Sequence, residues 1–294
     1  MNTSLKHLSP VQREKTERAV RIIVRAVRPE KIILFGLYSG AFRSGLPACL
    51  FADDPRDALP PAMGAYDLLV VTRQGERRSD YELQDVIENR CREEVAVTAL
   101  VHDIGYVNKR IAEGQCFFSV VALEGILVYD AHGEPLVDPR YPDWDQVRWM
   151  AQRDFARWDQ QAKAFFRSAE FNQAEKEWKI AVFLLHQAAE QSYQAILLAF
   201  MGYKPTTHNL DKLRRYTNRF SLELALVFPR DSVEEDDLFR LLAAGYVDAR
   251  YREEFIVTEE EVGVLIGRVR RLLEVAGRVC QNHFAGLEKK AAGG

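Results

Sequence analysis

The sequence has few of the features that mark membrane and secreted proteins. No run approaches the ~18 consecutive apolar residues of a bilayer-spanning helix. The opening stretch "MNTSLKHLSPVQREK" lacks the apolar core of a signal peptide. These absences predict a protein without a membrane segment and with a cytoplasmic location.

The sequence also has few cysteines and a small net charge. The four cysteines, Cys49, Cys91, Cys116 and Cys280, stand far apart and show neither C-x-x-C nor Cys/His zinc spacing, so they are interpreted as reduced structural thiols. A net charge of -3 gives no general attraction to nucleic acid, and RNA or DNA binding would need a local basic patch. What is abundant is typical of a globular protein: 47% of the residues are hydrophobic and 28% are charged.

The hydrophobic pattern changes character once along the chain, near Trp144. Before it, short β-branched runs predict strands at "KIILF", "YDLLVVT", "VAVTALV" and "GILVYD". Helical spacing in "VQREKTERAVRIIVRAVRPE" and "DYELQDVIENRCREE" predicts two helices among them. After Trp144, strand signals nearly vanish and long helical periods follow, over 144–169, 172–201, 208–227, 233–250 and 258–286.

These patterns predict the α+β fold class. A small mixed-sheet domain is expected over residues 1–138 and an all-α antiparallel helical bundle over 144–286, with a flexible tail at 287–294. The seam falls in "DAHGEPLVDPRYPDWD", where Pro/Gly clusters and several aspartates break both periods.

The second half carries one apolar stripe and several polar residues beside it. Within "EWKIAVFLLHQAAEQSYQAILLAFMGY" the apolar residues follow helical spacing, His186 and Glu190 lie four apart, and Gly202 is a natural stop. The next helix is expected to take Thr206 or Thr207 as its cap, and His208 is interpreted as a helix-start residue rather than a general acid. The stripe consists of Val182, Leu185, Ala189, Tyr193, Ile196 and Phe200.

The combination of "LLHQAAEQSYQAIL", "GYKPTTHNLDKL" and "AGYVDARY" resembles the HEPN family. The resemblance covers most of residues 145–286 and implies an antiparallel helical bundle that forms a homodimer or contacts RNA or a partner protein. It also predicts a buried structural pair between Glu190 and Arg250, with His186 close to both.

The first half resembles the minimal nucleotidyltransferases, which often accompany HEPN domains. The resemblance rests on "ILFGLYSGAF…YDLLVV", which follows the order of a Gly-Ser turn and a D-x-D strand. It implies that Gly36, Tyr38, Ser39 and Gly40 contact a nucleoside triphosphate and that Asp67 is a metal ligand and catalytic remnant for Mg²⁺.

Two of the three expected carboxylates are missing from this pattern. The first aspartate position holds Ala65, and the third, on the strand "VAVTALV", holds Thr98; the serine of the turn is replaced by Leu37. Two-ion chemistry needs several hard oxygen ligands that converge, and one carboxylate does not supply them. The insertion over 43–63 offers replacement carboxylates at Asp53, Asp54 and Asp57.

A second catalytic pattern lies near the C-terminus. HEPN nucleases carry an arginine and, after four to six residues, a histidine, and "RVCQNH" supplies Arg278 and His283. The histidine of such a pair moves the proton of a ribose 2′-OH while the arginine stabilises the phosphate.

Three functions follow from these patterns. The first is a nucleotide-binding regulatory protein of toxin–antitoxin or defence type, in which a degenerate nucleotidyltransferase fold accompanies a HEPN domain. The second is an active nucleotidyltransferase that modifies a protein, an RNA or a small molecule such as an aminoglycoside. The third is a HEPN ribonuclease restrained by its own N-terminal half.

Overall fold

The protein consists of two compact units, Met1–Asp143 and Trp144–Gly294. The computed structural model describes residues 1–6, 8–39, 42–44 and 66–293, with the backbone alone at 37–39, 42–44 and 293. The α+β class predicted from the sequence is confirmed, because a small mixed sheet precedes a helical bundle.

The first unit alternates helices and strands. Helix α1 begins after Ser9, whose hydroxyl accepts a hydrogen bond from the backbone N–H of Gln12 in a capping box. The helix ends at Arg28, which has a left-handed conformation and directly precedes Pro29. Helix α2 begins with a second capping box, between Ser79 and Glu82. The elements are α1 (Pro10–Val27), β1 (Lys31–Ser39), β2 (Phe42–Ser44), β3 (Tyr66–Thr72), α2 (Asp80–Cys91), β4 (Val97–Asp103), α3 (Ile104–Ala112), α4 (Cys116–Glu124) and β5 (Ile126–Asp130).

Strand β1 organises the five-stranded sheet, whose main order is β2-β1-β3-β4. It pairs antiparallel with β3 along one edge, while β5 and β2 pair with its first and last residues along the other. Strand β3 pairs with β4 in parallel, as expected for two strands joined through helix α2. The ends of β1, β3 and β4 that carry Gly36, Asp67 and Thr98 therefore meet at the same end of the sheet.

Both faces of the sheet are covered by helices. On one face, a continuous core joins α1 and α2 to alternate strand residues, including Ile23, Leu68 and Ile87. On the other face, α4 contributes Phe117, whose ring meets Phe35 edge-on at 5.3 Å. Because β3 is buried on both sides, its apolar run is continuous rather than alternating.

The second unit contains helices only, within the described residues. They are α5 (Trp144–Ala174), α6 (Trp178–Met201), α7 (Leu210–Asn218), α8 (Leu222–Ala225), α9 (Val233–Ala244), α10 (Asp248–Tyr251) and α11 (Glu259–Gly293). Helix α6 ends at Gly202, whose φ of 60° favours a residue without a Cβ, as the sequence predicted. Helix α7 is capped by Asn209, not by either predicted threonine; Thr207 instead accepts from the Asn209 amide.

Three long helices build the centre of this unit. The stripe predicted on α6 is buried along its whole length, from Val182 to Phe200. Ion pairs fix the direction of α11 against α5: Arg270 contacts Glu170 at 2.8 Å, and Arg148 contacts Glu288 at 3.1 Å, so the two helices run antiparallel. Short connections make α5 and α6 antiparallel neighbours as well.

Several expectations about the ends and connections need correction. Helices α3 and α4 were not predicted, because "CFFSVVALE" is apolar around its whole circumference and has no amphipathic period. The C-terminal segment predicted as a flexible tail is helical through residue 293, and Leu287 within it is buried.

Two expectations from composition can be compared with the described residues. Three of the cysteines, Cys91, Cys116 and Cys280, are buried and form no disulfide, and Cys49 lies outside the described residues. None of the helices in the described part of the chain combines the length and the apolar content that a bilayer crossing needs.

Two glycines of the helical unit make a matched test of this packing. A Cβ at Gly245 would lie 2.8 Å from Val182 Cγ1 and 3.1 Å from the carbonyl oxygens of Leu242 and Val182. We expect Gly245→Ala to lower the free energy of unfolding by about 1–3 kcal/mol through overpacking. Gly267 on α11 has nothing within 4 Å, and Gly267→Ala should raise that free energy by about 0.5–1 kcal/mol. Urea denaturation measures both; equal stability of the two variants would contradict the close α6–α9 contact.

Candidate functional site

One residue from each of three strands forms a row across the sheet of the first unit. Gly36 is the register partner of Asp67, and Asp67 is the register partner of Thr98. The strands therefore align the positions at which the nucleotidyltransferase resemblance expects a glycine and two metal ligands. Only the middle position of the row is a carboxylate.

Asp67 is fully buried, and its side chain lies against the glycine. A Cβ built on Gly36 would come within 2.5 Å of Asp67 Oδ2, so the glycine leaves the space that the carboxylate occupies. Thr98 beside it is buried as well, with 5% of its surface exposed. The row is thus a closed, packed arrangement rather than an open ligand set.

The predicted Gly-Ser turn is a strand up to residue 39. Leu37, Tyr38 and Ser39 continue β1 and pair with Ser44, Arg43 and Phe42 of β2. Leu and Tyr favour extended, paired backbone more than the serine-rich turn expected from the resemblance. The prediction of a turn at these residues is therefore wrong.

The residues present do not fit a two-ion Mg²⁺ centre. Across the described ranges, no group of three His, Cys, Asp or Glu side chains is arranged to hold a metal ion. Gly40, Ala65 and the insertion carboxylates Asp53, Asp54 and Asp57 lie outside the described residues. Asp67 alone offers one ligand where such a centre needs several.

The second unit contains a different polar cluster, centred on a buried carboxylate. Glu190 of α6 is 2% exposed. Its Oε1 accepts from His208 Nδ1 at 2.9 Å and from the Gln194 amide at 3.1 Å, and its Oε2 lies 3.6 Å from His186 Nε2. Both hydrogen bonds are made by Oε1, whereas Oε2 has the His186 ring as a neighbour beyond hydrogen-bond distance. These contacts offset part of the cost of a charge in the interior of the bundle.

The two histidines of this cluster also share an aromatic neighbour. The rings of His186 and His208 stack on Tyr246, with centroid distances of 5.3 and 5.1 Å. His186 is buried, and its Nδ1 lies 3.1 Å from the Leu242 carbonyl oxygen. His208 differs, because 60% of its side chain is exposed.

The Glu190 carboxylate is ionised at neutral pH. Burial acts to raise the pKa of Glu190, but the nearby His186 ring and the hydrogen bond from His208 outweigh it and hold the pKa below its ordinary value. Burial lowers the pKa of Lys204, which lies close enough for the Glu190 charge to oppose that effect. The cluster therefore joins one buried negative charge to two imidazole rings and to the nearby Lys204.

Arg250 is not the partner of Glu190, which corrects the sequence prediction. Its Nε donates to the Tyr246 carbonyl oxygen at 2.7 Å, and its guanidinium lies over the Tyr246 ring at 4.6 Å and the Phe183 ring at 5.1 Å. Arg250 belongs to the short surface helix α10, and its side chain turns to aromatic faces, whereas His208 reaches the buried carboxylate. The proximity of His186 to Glu190 was predicted correctly.

Comparison with known protein families assigns this unit. The sequence from residue 155 to residue 279 matches the HEPN domain. The chain contains a HEPN domain. No curated protein gives a significant match to the chain. The match covers α6, α7, α9 and α10, so Glu190 and its partners all belong to the HEPN domain.

The candidate ribonuclease pair of the HEPN domain is separated in the structure. Arg278 is half-exposed on α11 and forms an ion pair with Glu223. His283 is buried, and its ring stacks on Phe200 with a centroid distance of 4.0 Å. Five positions along a helix place two side chains about 140° apart around its axis. The structure does not bring this pair together.

Sequence reasoning missed two functional-looking histidine contacts. His208 was interpreted as a helix-start residue, but it is the main partner of the HEPN carboxylate. In the first unit, His102 is buried in β4 with its Nδ1 2.7 Å from Asp80 Oδ2. The next residue, Asp103, caps α3. Nothing in the local sequence pairs either histidine with its distant carboxylate, since 18 and 22 positions separate them.

The HEPN carboxylate gives a direct test by substitution. We expect Glu190→Gln to lower the free energy of unfolding by about 1–3 kcal/mol at pH 7, because the amide oxygen still accepts from His208 but no longer carries the negative charge that strengthens this hydrogen bond. Arg250→Gln should cost at most about 1 kcal/mol, the value of an exposed cation–π contact. Denaturant titrations measure the free energy of unfolding of both variants. A larger decrease for Arg250→Gln than for Glu190→Gln would support the pair of Glu190 and Arg250 that the sequence predicted.

The contribution of Glu190 to the stability of the folded protein should decrease at acidic pH. Because its pKa is lowered in the folded protein, the contribution is present above the ordinary value of 4.5 and is lost as the pH falls through the folded value. The stability difference between wild type and Glu190→Gln should therefore shrink below pH 4.5.

His283 predicts a separate acid-dependent loss of stability. Burial, with a smaller effect of Lys290, lowers the pKa of His283 from its ordinary 6.5 to about 4, so between these values the unfolded chain binds a proton that the folded chain excludes. Stability should fall by up to about 3 kcal/mol as the pH drops through this window. His283→Leu should flatten the dependence of the unfolding midpoint on pH between 6.5 and 4. An unchanged slope would mean that His283 is not buried in its neutral form.

Proposed function

We propose that the chain is a binding and regulatory protein of toxin–antitoxin or defence type. In this proposal the first unit is a degenerate nucleotidyltransferase fold that transfers no nucleotide. The HEPN domain makes the partner contact, either with a second copy of the chain or with another protein.

The single observation that carries the proposal is the row of Gly36, Asp67 and Thr98. The strand register aligns these residues as the nucleotidyltransferase resemblance expects, and the row supplies one carboxylate. That carboxylate is buried beneath the glycine position rather than open to a ligand. A scaffold of this kind supports weak contact with a nucleotide but not the alignment of two metal ions that nucleotide transfer depends on.

The HEPN domain supports a binding role for a different reason. Its arginine and histidine of the nuclease spacing are engaged elsewhere, one with Glu223 and one in the core beside Phe200. Its buried polar cluster around Glu190 is intact and holds α6, α7 and α9 together. An ordered bundle with these features favours partner recognition over RNA cleavage.

We expect the purified protein to bind nucleoside triphosphates weakly at most and to transfer no detectable nucleotide with Mg²⁺ or Mn²⁺. The measurement is incubation with radiolabelled ATP, CTP, GTP and UTP against the protein itself, tRNA and a set of aminoglycosides. A thermal-shift panel of the same nucleotides, with and without metal, measures binding independently, because a ligand stabilises the folded state by mass action.

Variants of the first unit make each outcome decisive. Labelling that is abolished in Asp67→Asn would establish an active transferase and overturn the proposal. Labelling that survives in Asp67→Asn but depends on Asp53, Asp54 or Asp57 would assign the ligands to the insertion. The HEPN variant Glu190→Gln is the control, since it leaves the first unit unchanged.

A further inference from the structure

The exposed histidine of the HEPN domain is oriented by the buried carboxylate. His208 Nδ1 lies 2.9 Å from Glu190 Oε1, and an ionised carboxylate only accepts hydrogen bonds, so Nδ1 carries the hydrogen. No hydrogen bond to the other ring nitrogen, Nε2, is made by the residues that the structure describes. With 60% of the side chain exposed, Nε2 is the nitrogen available to a ligand.

Two cations without carboxylate partners accompany this histidine. Arg250 contacts the same Tyr246 ring as His208, and Lys204 lies near Glu190 with its Nζ 4.8 Å from the centre of the Trp158 ring. Among the described residues, no carboxylate lies within ion-pair distance of Arg250 or Lys204. Other arginines of this unit differ, because Arg230, Arg268, Arg270 and Arg278 all have carboxylate partners.

We propose that His208, Arg250 and Lys204 form a binding site for the phosphate group of a small ligand, with Glu190 as a positioning residue. Phosphate is the chemical class that fits, because it brings several acceptor oxygens and negative charge to a surface of uncompensated donors. The half-buried Trp158 beside Lys204 offers an aromatic face to the rest of a phosphate ester. This site is separate from the row in the first unit and does not depend on the function proposed for it.

The hydrogen bond to Glu190 decides which ring nitrogen of His208 meets a phosphate. Because Nδ1 donates to Glu190, Nε2 is the ring nitrogen left for a ligand. An imidazolium donates from Nε2 to an ionised phosphate oxygen, and a neutral imidazole accepts there from a P–OH group. His208 therefore has a hydrogen-bonding role toward phosphate in both forms.

Three parts of the helical unit bring charged and titratable groups to His208. From α6, Glu190 faces Nδ1, and His186 approaches the other oxygen of the same carboxylate. Lys204 precedes α7, while Tyr246 and Arg250 come from the segment that includes α10. Of these groups only Glu190 is negative, and it is buried, whereas His208 is exposed.

Isothermal titration calorimetry of the full chain with inorganic phosphate tests the proposal. We expect saturable binding at pH 6 and fixed ionic strength. His208→Asn keeps a donor to Glu190 but removes Nε2, and it should weaken binding by about tenfold or more. Arg250→Gln and Lys204→Gln should each weaken it as well.

The control variant and ligands separate this site from general charge effects. His132→Asn, at an exposed histidine of the first unit, should leave the affinity unchanged. AMP should bind at least as tightly as phosphate, and adenosine, which lacks a phosphate, should not bind at this site. No phosphate binding at pH 6, or binding that is equal in His208→Asn and wild type at matched ionic strength, would overturn the proposal.

Discussion

The helical unit depends on the burial of a single ionised carboxylate. Glu190 lies on the most buried helix of the HEPN domain, where an unpaired charge would cost several kcal/mol. Three residues surround this carboxylate: Gln194 and His186 on the same helix, and His208 just before α7. The carboxylate therefore fixes where the connection after Gly202 must return. His186 extends this constraint to α9 through the Leu242 carbonyl oxygen.

The first unit also buries a carboxylate, but different contacts hold it. Asp67 is also buried, but it lies in the middle of a sheet where backbone register, rather than a set of histidines, defines its surroundings. The missing Cβ of Gly36 provides the room, and Thr98 is its neighbour on the parallel strand. The row therefore keeps its carboxylate in place by strand register and by the space that the glycine leaves.

Patterns with a regular period were predictable from the sequence, and contacts across the chain were not. The buried stripe on α6, its end at Gly202 and the change of class near Trp144 follow from local spacing and local backbone preference. Helix α4 is buried on all sides and has no polar face, so its sequence shows no alternation of apolar and polar residues at helical spacing. The partner of Glu190 was chosen wrongly for a physical reason: charge complementarity favours arginine, but Arg250 belongs to a short surface helix and finds aromatic faces instead.

The pairing of His208, rather than Arg250, with Glu190 explains why Arg250 has no carboxylate partner among the described residues. Had Arg250 paired with Glu190, the carboxylate would have neutralised it, and His208 would have had no fixed orientation. Because histidine takes the carboxylate, Arg250 remains at the surface, where its contacts among the described residues are with a carbonyl oxygen and aromatic rings, neither of which cancels its charge. The same hydrogen bond makes the exposed His208 a link between the surface and the buried Glu190. The stability of the bundle and the chemistry available at its surface are therefore consequences of the same hydrogen bond.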